Sequence, residues 1–153
     1  MKLLIDGVKI SEIKSNDDER GYLREIVRAD ERLLEGFGQV MVSRVKQGVI
    51  KAFHWHKLQD DLWYLVEGRV LVVLHDLRNG SKTSGKTQSF IMSEDKPVRV
   101  LIPKGVAHGY KVLGDKAALV LYVVTRPYSK DKPDEQRIPF DDKGIGFDWS
   151  KGV

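Results

Sequence analysis

The sequence predicts an all-β domain, a jelly-roll β-barrel carrying one or two short helices. Two observations predict it. The apolar runs are short, rich in β-branched residues and evenly spaced. Turn signals separate them at Glu67-Gly68, Arg78-Asn79-Gly80-Ser81, Pro103-Lys104-Gly105 and Gly114-Asp115. Many short strands at such spacing close into a sandwich or barrel, and the jelly roll is one standard solution.

The expected strands, in order, are 2–6, 22–28, 39–46, 50–54, 62–66, 69–76, 87–92, 98–102, 107–112 and 117–125. One helix is expected where Asp30 can cap a turn or two through Leu33 and Leu34, with Gly36 as the stop. Residues 128–153 are richer in Pro, Gly and charge and are expected to wrap the surface or close the barrel mouth. Within them, Lys130–Arg137 reads as a solvated loop.

At 153 residues the chain suits a single domain over 1–153. Hydrophobic residues make up 41% and charged residues 31%, enough for a core and unlike a disordered chain. No apolar run approaches a membrane span. The opening Met1-Lys2-Leu3-Leu4-Ile5-Asp6 is too short and too soon charged for a signal peptide, so a cytoplasmic location is expected. The absence of cysteine excludes disulfides and thiolate metal sites. The net charge of +4 is spread without a basic run, which argues against nucleic acid and suits an anionic small molecule or simply a solvated surface.

The sharpest spacing surrounds four polar residues. On a strand, His54 and His56 share a face while Trp55 points the other way. Asp61 opens the following strand, expected to pair back on the first. His108 follows a tight turn, and in a barrel all four converge on one interior spot. Three imidazoles and a carboxylate suit one divalent metal. They equally suit a metal-free, hydrogen-bonded pocket. Trp55, Trp63 and Trp149 read as packing, Tyr64 and Tyr110 as packing with a polar tip, and His75 as strand-end surface.

The stretch from Gly48 through His54, His56 and Asp61 to Gly68 resembles the first cupin motif, G-x5-H-x-H-x4-E-x6-G, with aspartate in the glutamate place. Pro103, Gly105 and His108 resemble part of the second, in which Pro97 and Val112 replace its leading glycine and closing asparagine.

A longer resemblance runs from about residue 17 to 149. Asp18-Glu-Arg20-Gly21-Tyr-Leu-Arg-Glu25, Gly48-Val-Ile-Lys51-Ala-Phe-His54, the run from Gly68 to Ser81, Ile102-Pro-Lys-Gly-Val-Ala-His108-Gly-Tyr-Lys-Val-Leu113, and Asp142 to Trp149 resemble successive motifs of the dTDP-4-dehydrorhamnose 3,5-epimerase family, a cupin-fold branch. Tyr122 and Tyr128 match two tyrosines of that family spaced six apart.

The resemblance implies an isomerase of dTDP-rhamnose biosynthesis, acting on a nucleotide-linked 4-keto-6-deoxy sugar by removing protons beside the ketone. It places His54 as general base, Asp142 as the carboxylate that pairs with it, and Tyr122 as the acid returning a proton. Arg20, Glu25, Gln39, Lys51, His56, Asp61, His108 and Tyr128 fall at substrate positions, with Arg20 and Lys51 toward the diphosphate. It implies no cofactor, and a homodimer built by exchanged amino-terminal strands. The chain departs from the family at His56, where glutamine is usual, and at Asp61, where a lysine stabilises the enolate. Met41 and Val45 replace an asparagine and a serine. Two alternatives remain: a metal-dependent cupin isomerase or oxygenase using His54, His56, Asp61 and His108, and a sugar-binding cupin without catalysis.

Overall fold

A computed structural model describes residues 5–150. Of the expected first strand, residues 2–4 lie outside the described residues, and Ile5 and Asp6 form a bend and turn. Two five-stranded antiparallel sheets carry the fold. The first is ordered β1 (Lys9–Glu12), β9 (Val98–Ile102), β6 (Asp61–Glu67), β11 (Ala118–Val124) and β4 (Gln39–Val45). The second is ordered β12 (Glu135–Arg137), β5 (Ile50–His56), β10 (Val106–Val112), β7 (Arg69–Asp76) and β8 (Thr87–Ser93). β2 (Ser15–Asp18) and β3 (Gly21–Arg24) form a separate hairpin. This is the expected all-β jelly roll, although no ladder among the described residues closes the two sheets into one continuous barrel.

β7 explains the layering. Its run Val70-Leu-Val-Val-Leu74 is buried on both faces, as an unbroken apolar strand requires. Val70, Val72 and Leu74 enter the core between the sheets with Trp63, Leu65, Val100 and Tyr110. Leu71 and Val73 point the opposite way, into a second cluster with Phe53, Ala107, Leu113 and Trp149, which Ile138, Ile145 and Phe147 cover. The carboxy-terminal segment therefore wraps the outer face of the second sheet. β8 shows the complementary pattern of a strand with one wet face: Gln88, Phe90 and Met92 are buried and alternate with exposed or half-buried neighbours.

Several expectations need correction. β6 does not pair back on β5. The chain crosses to the other sheet over residues 57–60, and β6 pairs with β9 and β11. The crossing is held by the Asp134 carboxylate, which accepts the backbone N–H groups of Lys57, Leu58 and Gln59 at 3.0–3.1 Å. A second crossing, from β6 to β7, occurs at Gly68. Its φ of +89° favours glycine, and a Cβ there would lie 2.8 Å from the Ala117 carbonyl. The helix is a single 3-10 turn, Ala29–Glu31, that starts before Asp30 and ends at Arg32 in the left-handed region. β1, β2 and β12 are polar edge or hairpin strands without an apolar alternation to announce them. His75 is buried on the outer face, its Nδ1 2.8 Å from Thr87 Oγ1, and burial lowers its pKa. No helix of the described residues is long and apolar enough to cross a membrane.

Candidate active site

A cavity of about 650 Å³ opens between the sheets. Strand alternation sends His54 and His56 into it from β5, while Phe53 and Trp55 pack on the outer face. β10 runs beside β5 with His108 directly opposite His54. The facing wall comes from the first sheet, where Asp61 opens β6 and Tyr122 lies beside Trp63 on β11. The two crossings between sheets are thus what set imidazoles on one wall against a carboxylate and a phenol on the other.

Trp63 is the central post. Its ring makes edge contacts with His108 at 5.1 Å and with Tyr110 and Tyr122 at 5.5 Å, and its Nε1 donates to Asp61 Oδ2 at 3.2 Å. It packs as expected and also supports three groups of the cavity.

His56, Asp61 and His108 form a buried trio. His56 Nε2 lies 3.7 Å from Asp61 Oδ1, and His108 Nε2 lies 3.7 Å from Asp61 Oδ2. The Val106 carbonyl, 3.0 Å from His108 Nδ1, can only accept, so that nitrogen carries the proton and Nε2 presents a lone pair. Burial lowers the His108 pKa and keeps the ring neutral, against the opposing pull of Asp61. One acceptor from each residue lies within 4.8 Å of the others, so these three could hold a cation. Gln59 already serves two of these atoms: its amide donates to Asp61 Oδ1 at 2.7 Å and lies 3.4 Å from His56 Nε2. His56 Nδ1 is buried without a hydrogen bond, 3.9 Å from Asp134 Oδ2. The expected four-residue metal set is therefore three in this geometry.

His54 turns elsewhere. Its Nδ1 meets Glu135 Oε1 at 3.1 Å, and the same oxygen accepts Arg137 Nε at 2.8 Å. Burial alone would raise the Glu135 pKa, but Arg137 and His54 outweigh it and hold the carboxyl below its usual range. The expected partner, Asp142, is not there. Ile138 exchanges both backbone hydrogen bonds with Phe53, after which the chain runs over the outer face. Asp142 Oδ1 there accepts the N–H groups of Gly144 and Ile145 at 2.9 and 3.0 Å, and its charge acts on His75. His54 and Asp142 lie on opposite faces of one sheet. Asp134 and Glu135, read from sequence as part of a solvated loop, lie on or beside the short strand β12 that pairs with β5.

The remaining expected residues divide. Gln39, Lys51 and Tyr128 line the cavity, and Gln39 Oε1 accepts the Tyr128 N–H at 2.8 Å. Lys51 Nζ donates to Ser43 Oγ at 3.2 Å. Tyr110 and Tyr122 join hydroxyl to hydroxyl at 2.8 Å across the two sheets. Arg20 and Glu25 are outside the cavity: Arg20 has an 82% exposed side chain paired with Asp18, and Glu25 pairs with Arg28. Two exposed cations at the mouth, Arg126 and Lys132, lay in no recognisable motif.

The family model described as dTDP-4-dehydrorhamnose 3,5-epimerase matches residues 2–153. The spore coat polysaccharide biosynthesis protein SpsL of Bacillus subtilis (strain 168) is 53% identical over 147 residues, covering 96% of this chain and 97% of that protein. The crystal structure of a dTDP sugar isomerase from Desulfovibrio desulfuricans G20 superposes with a TM-score of 0.92 at 28% identity, covering 100% of this chain and 97% of that one. The dTDP-6-deoxy-D-glucose-3,5-epimerase of Legionella pneumophila Philadelphia 1, solved with dTDP-4-keto-L-rhamnose, superposes with a TM-score of 0.86 at 33% identity, covering 97% and 81%.

Proposed function

Since the chain belongs to the dTDP-4-dehydrorhamnose 3,5-epimerase family, we propose that it is an isomerase inverting carbon centres beside the ketone of a dTDP-linked 4-keto-6-deoxy sugar, in dTDP-rhamnose biosynthesis. The observation that carries the reading is the placement of His54 and Tyr122 on opposite walls of one cavity. Inversion needs a base on one face of the sugar and an acid on the other.

His54, oriented by Glu135, takes the proton from the carbon beside the ketone, and electrons move onto the keto oxygen. Tyr122 returns a proton from the far side. Gln39 and Tyr128 lie at the cavity rim, and the cations Arg126 and Lys132 suit the diphosphate. His56, Asp61 and His108 line the sugar end. No cofactor enters this scheme, and a cytoplasmic site of action is part of the same proposal. The test is to incubate the protein with such a sugar in D2O. Deuterium appearing beside the ketone, with inverted product, supports the reading. Binding without exchange would sink it in favour of a sugar-binding module.

A second reading of the same site has a specific observation behind it. Where the family has a lysine, Asp61 adds negative charge beside a developing enolate, which is unfavourable uncompensated. A divalent cation on His56, Asp61 and His108 would supply the missing positive charge and leave His54 free as base. The cofactor-free scheme predicts less than about a tenth of an equivalent of any divalent metal in protein purified without chelator, and activity that survives EDTA. Near-stoichiometric metal, lost with activity on chelation, would replace it with the cation scheme.

We also propose a homodimer. The β2–β3 hairpin pairs with neither five-stranded sheet and is held at its base by Arg24, which donates to the Tyr64 hydroxyl at 3.3 Å, leaving Tyr22 and Leu23 exposed and Arg20 at its tip. The edge strand β4 exposes Val40 and Val42. A partner receiving the hairpin would cover this apolar surface and gain Arg20 for its own cavity. Light scattering is expected to give twice the chain mass of 17.4 kDa, and Arg20→Ala is expected to raise KM with little change in kcat. A monomer at micromolar concentration would refute the arrangement.

A further inference from the structure

Tyr122 sits where a proton must be released, yet its surroundings oppose release. Burial raises its pKa far above a free phenol, and the neighbouring Tyr110 adds to the rise. A phenol so placed transfers its proton to carbon only if donors meet the phenolate as it forms.

Three groups stand in line to do this. Tyr110, on the opposite sheet, brings its hydroxyl to 2.8 Å from that of Tyr122. Ser43 on β4 lines the same cavity, and its hydroxyl favours the phenolate of both tyrosines, lowering the pKa of each against the pull of burial. Lys51 on β5 donates from Nζ to Ser43 Oγ at 3.2 Å and is a half-buried residue of the cavity lining, so it meets the hydroxyl of Ser43 while keeping some exposure. The two cross-sheet contacts, Tyr110 to Tyr122 and Lys51 to Ser43, are neighbours: Lys51 stands opposite Tyr110 in the β5–β10 register, and Ser43 stands opposite Val120, two residues from Tyr122, in the β4–β11 register.

We propose that Tyr110, Ser43 and Lys51 are positioning residues forming a proton relay that reloads Tyr122. The proposal rests on the epimerase reading above and adds to it. In each turnover the Tyr122 O–H bond breaks and a C–H bond forms at the sugar carbon. A proton passes to the Tyr122 oxygen from Tyr110 or Ser43, theirs is replaced through Ser43 from the Lys51 ammonium, and Lys51 recovers its proton from water. The proton taken by His54 leaves to solvent, so no net charge accumulates. Lys51 is thereby assigned to the acid and not to the diphosphate.

The experiment separates the two faces of the reaction. In D2O, His54 can return deuterium to the face it took hydrogen from, giving exchange with retention, whereas inversion needs Tyr122. Tyr110→Phe and Ser43→Ala are expected to slow inversion by about 10- to 100-fold while leaving exchange with retention near wild type, so their ratio rises by that factor. A merely structural role would lower both together. Circular dichroism checks folding, and Ser43→Ala, at a half-buried position, carries the test if Tyr110→Phe does not fold. An unchanged ratio in folded variants overturns the relay while leaving the epimerase reading intact. No exchange in the wild-type protein overturns both.

Discussion

Replacing His54 with asparagine is expected to reduce both deuterium exchange and inversion by about a thousandfold, with the fold retained. Asparagine fills similar space but cannot take a proton. His54 is half-buried on an inner strand face and contributes to neither apolar cluster, so its loss costs little packing. The informative companions are two carboxylates. Glu135→Gln is expected to slow exchange by about a hundredfold, because the imidazole loses the carboxylate that fixes its orientation. Asp142→Asn is expected to leave exchange near wild type, since asparagine keeps the Oδ1 acceptor for Gly144 and Ile145 on the outer face. Reversal of that order, with Asp142→Asn the more damaging, would restore the pairing suggested by the family motif. The measurement is NMR of the sugar protons beside the ketone, for each variant at one enzyme concentration.

The largest stability effect is expected at Asp76, outside the cavity. Its side chain is fully buried, and its carboxylate holds Arg78 at 2.8 Å, with Ser81 and Thr83 each donating at 2.6 Å. Arg78 reaches on to the Asp6 carbonyl at 2.6 Å, tying the amino-terminal segment to the end of β7. Asp76→Asn would set amide hydrogens against these donors and leave the guanidinium without its counter-charge. The expected loss is about 3 kcal/mol, at the lower end for a broken buried pair because Arg78 keeps some contact with water. For a chain of this size that lowers the thermal midpoint by roughly 6–12 °C.

The pH dependence has a definite sign. Burial alone would raise the Asp76 pKa, but Arg78, Ser81 and Thr83 reverse this and hold it well below its ordinary 3.8. The native state therefore binds fewer protons there than the unfolded chain. The stabilisation is present above about pH 4 and is lost as pH falls below it. The wild-type thermal midpoint should drop steeply on acidification below pH 4, and Asp76→Asn should start lower and fall less. Parallel curves for the two proteins would show that another group controls acid unfolding.

The sequence alone determined what depends on local period and turn chemistry. The limits of β7 and β9 follow from their apolar runs, and the shared face of His54 and His56 follows from strand alternation. Motif resemblance supplied the family and the place of Tyr122. Only the tertiary structure decided the rest, because it rests on contacts distant in the chain. Which sheet β6 joins depends on the turn clamped by Asp134, more than seventy residues later, and that choice puts Asp61 opposite the histidines. Which carboxylate meets His54 depends on the face taken by the carboxy-terminal segment, and a three-residue polar strand has too few residues to declare a period. The Tyr110 hydroxyl reads as a packing tip until β10 and β11 bring it against Tyr122 from opposite sheets.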